Sequence, residues 1–333
     1  MNIKERSRKS LFYMICITGI FILHNPSAYS DSHEWLVNSE LFSTVSGYQS
    51  SDTRDGFVNA GIHVDAKYLD SAGFGVGYTY AQVIGVTDKF DITENAFFVS
   101  GNYNYHTDSL SGKLGFRADY YGIEDSNSYT TRTIVPGAGG MGGSSTVTSA
   151  FEFTNIIDVV FAQLSYINFK KTFYMDVGYA FSNYDLGDVE VQDIDIDQWT
   201  PTLGFGWNEK YDWLQARLYI IDLSNGDSTG GVTSYESVDL TWTHWFKPGM
   251  VLNMDSFTAG LLVGEREFAL DPDARIVYSI GHTQIGTASI NAVWKINESS
   301  RIMTYYGYSR YDDQENMNEY ASNDFYINFS KDW

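Results

Sequence analysis

Residues 57–69 read FVNAGIHVDAKYL. In this stretch Val58, Ala60, Ile62, Val64, Ala66 and Tyr68 alternate without a break with Asn59, Gly61, His63, Asp65 and Lys67. Successive side chains of a strand point to opposite faces, so this ribbon is apolar on one side and polar or charged on the other. A single such ribbon is an ordinary half-buried strand. Here the pattern returns along almost the whole chain, and that repetition decides the fold.

Phe74, Val76, Tyr78 and Tyr80 oppose Gly73, Gly75, Gly77 and Thr79. Leu114, Phe116, Ala118 and Tyr120 oppose Lys113, Arg117, Asp119 and Tyr121. Phe173, Met175 and Val177 oppose Tyr174, Asp176 and Gly178, and Leu214, Ala216 and Leu218 oppose Gln215, Arg217 and Tyr219. Val238, Leu240 and Trp242 face away from Asp239, Thr241 and Thr243, as Ala292, Trp294 and Ile296 do from Asn291 and Lys295. Two segments, 152–168 and 249–264, drift in phase, which reads as β-bulges.

The links between these ribbons alternate in length. Short ones fall near Leu69–Ala72, His106–Ser109, Lys170–Lys171, Asn208–Tyr211, Lys247–Gly249 and Glu298–Ser300. Long polar ones fall near 49–55, 85–92, 123–151, 184–193, 224–231, 265–281 and 312–320. Short turns on one side and long loops on the other are the asymmetry of a transmembrane barrel, whose bacterial forms have an even strand count. The expectation is therefore an all-β, antiparallel up-and-down transmembrane β-barrel of about fourteen strands, within twelve to sixteen. Thirteen residues at about 3.3 Å each, tilted by about 40°, rise roughly 30 Å, enough for the apolar band.

Composition agrees. Tyr numbers 25 and Pro only 5, which suits strands with aromatic girdles. Residues 1–30 read as a cleaved export signal, with Lys4, Arg6, Arg8 and Lys9 before the apolar run Leu11 to Leu23 and with Ala28 and Ser30 before a cut at Asp31. Residues 31–333 form one domain, with no linker composition dividing them. Cys16, the one cysteine, lies within the signal, so disulfides, Cys–Zn sites and thiol catalysis are excluded from the exported part. Losing that segment moves the net charge from −21 to −24, a balance that repels nucleic acid. No apolar run after it is long enough for a spanning helix.

The last strand, DFYINFSKDW, sets Phe325, Ile327, Phe329 and Trp333 on one face. It resembles the C-terminal strand of Gram-negative outer-membrane β-barrel proteins, porin-like in class, except that Lys331 stands where the pattern is usually apolar. The resemblance implies an outer-membrane location. It also implies lipid and lipopolysaccharide as surroundings, and recognition by barrel-assembly machinery through the strand ending at Trp333. A soluble β-sandwich is disfavoured, since it would expose Phe, Tyr and Trp on every outer face.

The inward faces carry the candidate site. His63, Asp65, Lys67, Lys113, Arg117, Asp119, Asp176, Arg217, Asp239 and Lys295 read as a pore lining that selects small hydrophilic solutes by size and charge. A closed lumen in which these groups pair with one another is the alternative, making a plugged barrel for adhesion, assembly or surface structure. The long Gly-rich loop 123–151 is a candidate to fold inward and narrow the passage. Inward Gly73, Gly75 and Gly77 leave room for something bulky.

Asp193, Asp195 and Asp197 alternate near an outer strand end and are weak candidates for Ca²⁺. No reaction and no cofactor is expected. A lipid-active hydrolase would need a serine beside His63 or His282, and no such spacing is present in sequence.

Overall fold

The computed structural model describes residues 35–333 apart from 70, 87–89, 137–143, 188–192, 227–230, 250–252, 278–281 and 314–317; the expected signal at 1–30 lies outside the described residues. Its first strands are β1 (Trp35–Gln49), β2 (Arg54–Tyr68), β3 (Ala72–Gly85), β4 (Phe90–Thr107) and β5 (Gly112–Pro136). They are followed by β6 (Ser144–Asn168), β7 (Phe173–Asp185), β8 (Ile194–Trp207), β9 (Asp212–Leu223) and β10 (Ser234–Trp245). The rest are β11 (Met254–Arg266), two short strands β12 (Leu270–Asp271) and β13 (Ile276–Val277), then β14 (Thr283–Lys295), β15 (Ser300–Asp313) and β16 (Asn318–Asp332). All except β12 and β13 form one closed barrel, each strand hydrogen-bonded to its sequence neighbours in the wall.

Closure is made by β1 and β16, antiparallel from Asn38↔Asp332 to Gln49↔Ala321. The Trp333 amide extends that ladder by donating to the Val37 carbonyl at 2.8 Å. In hydrocarbon no water can satisfy an unpaired strand edge, so only a tube that joins its own ends is stable there. The Lys331 irregularity has a local reason: its ammonium sits over the Trp333 ring, 3.8 Å from the centroid. A cation–π contact lets this lysine occupy a lipid-facing register position.

The alternation sorts faces as the sequence implies. Phe74, Phe97, Phe116, Leu203, Leu261 and Phe325 are exposed on the outer wall, whereas Asn59, His63, Asp119, Asp176 and Arg217 are buried inside. Aromatic residues crowd the short-turn end, with Trp35 on Tyr68 at 5.2 Å and Phe173 on Phe205 at 5.5 Å between centroids. Higher on the wall, Tyr120 donates its hydroxyl to Asp158 at 2.5 Å and Tyr306 donates to Asn323 at 2.7 Å. Each ring lies in the apolar band and its hydroxyl reaches toward polar groups, the usual compromise of an amphipathic side chain at an interface.

The two out-of-phase segments have different causes. β11 shifts register between Met254 and Ser256 and again between Val263 and Arg266, as bulges do. β6 pairs with β5 and β7 without a shift. Its pattern blurs because Ile157, Val159 and Phe161 are buried inside while Ile156, Val160 and Leu164 face out, so both faces are apolar.

Apart from 137–143, which lie outside the described residues, the segment 123–151 is paired strand and not the expected loop. β5 and β6 stay paired up to Pro136↔Ser144, well past the last partner of β5 on β4, Tyr129↔Phe90. The ribbon continues the hairpin instead of turning back, because its alternating Ser, Thr and Tyr residues suit a strand. Nor do the inward glycines clear space for a loop. A Cβ on Gly77 would fall 2.0 Å from the Phe98 ring and 2.5 Å from the His63 ring, so the absent side chain admits the neighbouring strands' own rings.

Leu203 stands midway between Trp199 and Trp207 on the outer face of β8. Leu203→Arg is expected to destabilise the barrel by about 2–4 kcal/mol, as for a cation at the bilayer midplane. Guanidinium unfolding in lipid vesicles checks it; a midpoint unchanged from the parent would contradict the lipid-facing assignment.

Candidate functional site

The lumen is entered by the connection between β11 and β14. At Gly264, where φ is +104, a Cβ would lie 2.5 Å from the Glu236 carbonyl oxygen, so only glycine fits this bulge. The chain then turns inward, and Arg266, Glu267, Phe268, Ala269 and Leu270 are all buried. β12 and β13 follow as a miniature hairpin, Leu270↔Val277 and Asp271↔Ile276. Its sequence, LDPDARIV, explains the turn. Pro272 presets its first residue, and the Asp271 carboxylate accepts the amides of Asp273 and Ala274, both at 3.1 Å.

Three arginines hold this hairpin in the tube. Arg275, on the hairpin, donates two bonds to the Asp65 carboxylate at 2.9 and 3.1 Å, and its Nη1 lies 3.2 Å from His63 Nδ1. Its guanidinium also covers the Phe98 ring at 5.1 Å. From the opposite wall, Arg217 donates to Asp273 at 2.8 Å and to Thr202 Oγ1 at 3.1 Å. Arg117 donates to the Pro272 carbonyl at 2.8 Å while Asp119 holds its Nε at 3.0 Å. A planar guanidinium fork suits this work, since it keeps its charge and reaches two oxygens at once.

A neutral clasp completes the set. Gln198, almost fully buried, donates to the Leu270 carbonyl at 2.7 Å and accepts the Leu270 amide at 2.9 Å. Around it the hairpin root packs apolar side chains, Phe268, Leu270 and Val277, against Ile157, Phe161, Ile196 and Tyr219. Toward the long loops this side of the lumen is therefore an apolar core. Glu267 anchors the root at the long-loop rim, accepting the hydroxyls of Tyr235 at 2.9 Å and Thr283 at 2.8 Å.

On the other side of the hairpin runs a cavity of about 820 Å³. It is walled by β14, β15, β16 and β1 to β5, with β10 and β11 closing it beside the hairpin, and reaches from Tyr48 and Tyr311 near the long loops to Arg301 and Ser330 near the short turns. Apolar groups such as Phe57, Ile123, Leu262 and Met303 make up the larger part of this wall, and among them stand the hydroxyls and carboxamides of Thr44, Asn59, Ser289, Asn291 and Asn328. Near the outer rim Arg54 donates to the Tyr320 hydroxyl at 3.3 Å, and the rings of His282, Tyr48 and Tyr311 surround Tyr320.

The ten residues singled out in the sequence separate into groups. His63 and Asp65 meet Arg275, and Arg117 with Asp119 meets the hairpin turn. Asp176, Thr202, Arg217 and Asp239 are cross-strand neighbours, so the two acids flank Arg217 in one row. Lys67, Lys113 and Lys295 lie apart at the short-turn end, with Lys67 and Lys295 exposed.

Asp193, Asp195 and Asp197 face outward, not into the lumen. Asp193 accepts the Leu186 amide at 3.2 Å, Asp195 accepts from Asn183 at 2.8 Å, and Asp197 takes the Tyr179 hydroxyl. Among the described residues no group of three His, Cys, Asp or Glu could hold a metal ion. His244 pairs with Asp212 at 2.9 Å and meets Phe246 edge-on, on the outer wall.

The hairpin itself was missed in the sequence. Two signals were there: apolar pairs flanking D-P-D-A within 265–281, and inward positions that turn apolar on β5, β6, β8 and β9 together.

No protein-family model and no curated protein matches the chain. Solved structures do, and they define the class: the chain has the fold of Gram-negative outer-membrane β-barrel proteins. A FadL homologue from Pseudomonas aeruginosa superposes with a TM-score of 0.52 at 10% identity, covering 93% of each chain. The toluene transporter TodX of P. putida gives 0.51 at 11% identity over 92% of this chain and 91% of its own. The monoaromatic hydrocarbon channel CymD gives 0.50 at 7% identity over 89% and 88%.

Replacing Gln198 by Leu strands both Leu270 backbone groups at a cost of about 1–3 kcal/mol. Hydrogen exchange at the Leu270 amide should then accelerate by roughly 5- to 150-fold while the barrel ladder stays protected. Unchanged exchange would show that the hairpin does not depend on this clasp.

Proposed function

We infer that the protein is an outer-membrane channel for small hydrophilic solutes, passing beside an internal hairpin that sets the width of the passage. The observation that carries this reading is the cavity that runs beside the hairpin from the long-loop end of the lumen to the short-turn end, its partly apolar wall set with hydroxyls, carboxamides and charges of both signs. A lumen lined with hydroxyls, amides and charges of both signs holds water, and water in a low-dielectric tube carries small polar solutes. The fold shared with solved channels is compatible with this role and does not identify the solute. His63, Arg117, Asp239 and Arg275 border the passage, and in this reading they set its charge preference. Carboxylates of the wall and the acidic outer loops favour cations at the mouth. No catalytic step is required.

A plugged barrel is the second reading, favoured by one observation: the hairpin root belongs to the apolar core and is no loose flap. Single-channel recording in planar bilayers separates the two. The parent should conduct with cation preference, and replacing 269–276 by a short Gly–Ser link should raise conductance several-fold. A parent that insulates while the deletion variant conducts would establish a plug. Trimming the distal ribbon at 131–149 should leave conductance unchanged, since the passage is bordered elsewhere.

A further inference from the structure

The cavity is not uniformly polar. Its long wall carries two tiers of rings separated by a band of small hydroxylated residues. The upper tier is Tyr48 and Tyr311, backed by the buried Tyr320, with Tyr311 stacked on Tyr320 at 5.1 Å and Tyr48 edge-on to it at 5.7 Å. The lower tier is Tyr305, Tyr326 and Phe42. Tyr305 and Tyr326 are cross-strand partners, and Phe42 lies 5.9 Å from Tyr326. Six residues of β15 separate Tyr311 from Tyr305, roughly 20 Å along the strand.

Between the tiers Asp324 lines the cavity, and its Oδ2 accepts the hydroxyls of Ser309 at 3.3 Å and Ser322 at 3.1 Å. Ser46 and Ser289 line the same band. Below the lower tier Asn328 donates to the Tyr326 hydroxyl at 3.1 Å and to Glu40 at 3.4 Å.

Ring faces and fixed hydrogen-bonding groups in one chamber match one kind of solute. A pyranose presents a sheet of C–H bonds on its face and hydroxyls around its edge. An aromatic ring covers the former, while carboxylates, carboxamides and serine hydroxyls pair with the latter. A hydrocarbon would strip water from Asp324 and its serines without replacing those bonds, which is costly. An anion would meet Glu40, Asp239 and Asp324, and of the bordering arginines Arg117, Arg275 and Arg301 are paired with carboxylates of their own. We propose that this chamber is a binding site for a neutral sugar of one or two rings, held against the lower aromatic tier on its way through. The proposal rests on the hydrophilic-channel reading for its purpose, but the site is testable without it.

The test is saturation-transfer NMR on the whole protein in an amine-oxide detergent, with glucose, maltose, lysine and toluene as separate probes. Saturation should pass to the ring C–H protons of at least one sugar. Each of Tyr305→Leu and Tyr326→Leu should weaken that sugar's binding by about fivefold, the worth of one lost ring contact. Tyr326→Phe should retain it. Trp199→Leu, on the outer wall, should have no effect, and heat-modifiable gel mobility shows that each variant is folded.

Transfer to toluene or lysine with none to either sugar overturns the assignment, as does equal transfer in the Tyr→Leu variants. If those variants fail to fold, competition decides: excess toluene should leave the sugar signal of the parent intact, and its loss counts against the site. Bilayer conductance of the same protein without sugar binding would sink this inference and leave the channel. Sugar binding without conductance would do the reverse.

Discussion

Every main-chain amide that crosses lipid must find a partner within the protein, and the rest of this structure follows from that demand. It forces the chain into a tube and fixes the seam between β1 and β16. It also fixes the period of two that turns each strand into one greasy and one polar face. Side-chain chemistry then has two separate tasks. Outside, it needs only to be apolar in the middle and aromatic at the borders. Inside, it is free to be wet, dry or occupied.

Inside, the molecule divides its lumen. The wall of β5 to β9 is apolar near the long loops and charged farther down, and the hairpin 270–277 docks against both. Its contacts combine a hydrophobic root, the Gln198 clasp and three guanidinium groups that each meet a carboxylate. Buried ion pairs bring little net stability once desolvation is counted. They are directional, however, and they hold the turn against β2, β5 and β9, which fixes how much of the tube stays open around it.

Much of the fold was legible because a strand's period cannot be disguised. FVNAGIHVDAKYL shows its faces at sight, and the inward direction of His63, Asp65, Arg117 and Arg217 follows from parity alone. The alternation of short and long links likewise placed the six turns at one end. What parity cannot show is which inward residues meet across the lumen. Arg275 reaches Asp65 over a separation of 210 residues, and nothing local to either announces it.

Length and glycine content single out 123–151, but they measure freedom, not attraction. The segment that does enter is shorter and carries its own turn, its own apolar pairs and an arginine. β6 escaped clear reading for a related reason. Ile157, Val159 and Phe161 face a filled interior, so hydrophobicity stopped marking the outside.

The place of the hairpin in the chain has a consequence for how the molecule is made. The partners of its turn and clasp, Asp65, Arg117, Gln198 and Arg217, precede it, whereas β14, β15 and β16 come after, with Thr283 at the start of β14 bonded to its root. A nascent sheet can therefore curl around the hairpin as around a mandrel before its final three staves arrive. Sealing of the last stave to the first then traps the insert, as a cooper closes a cask on its contents, and no later threading step is needed.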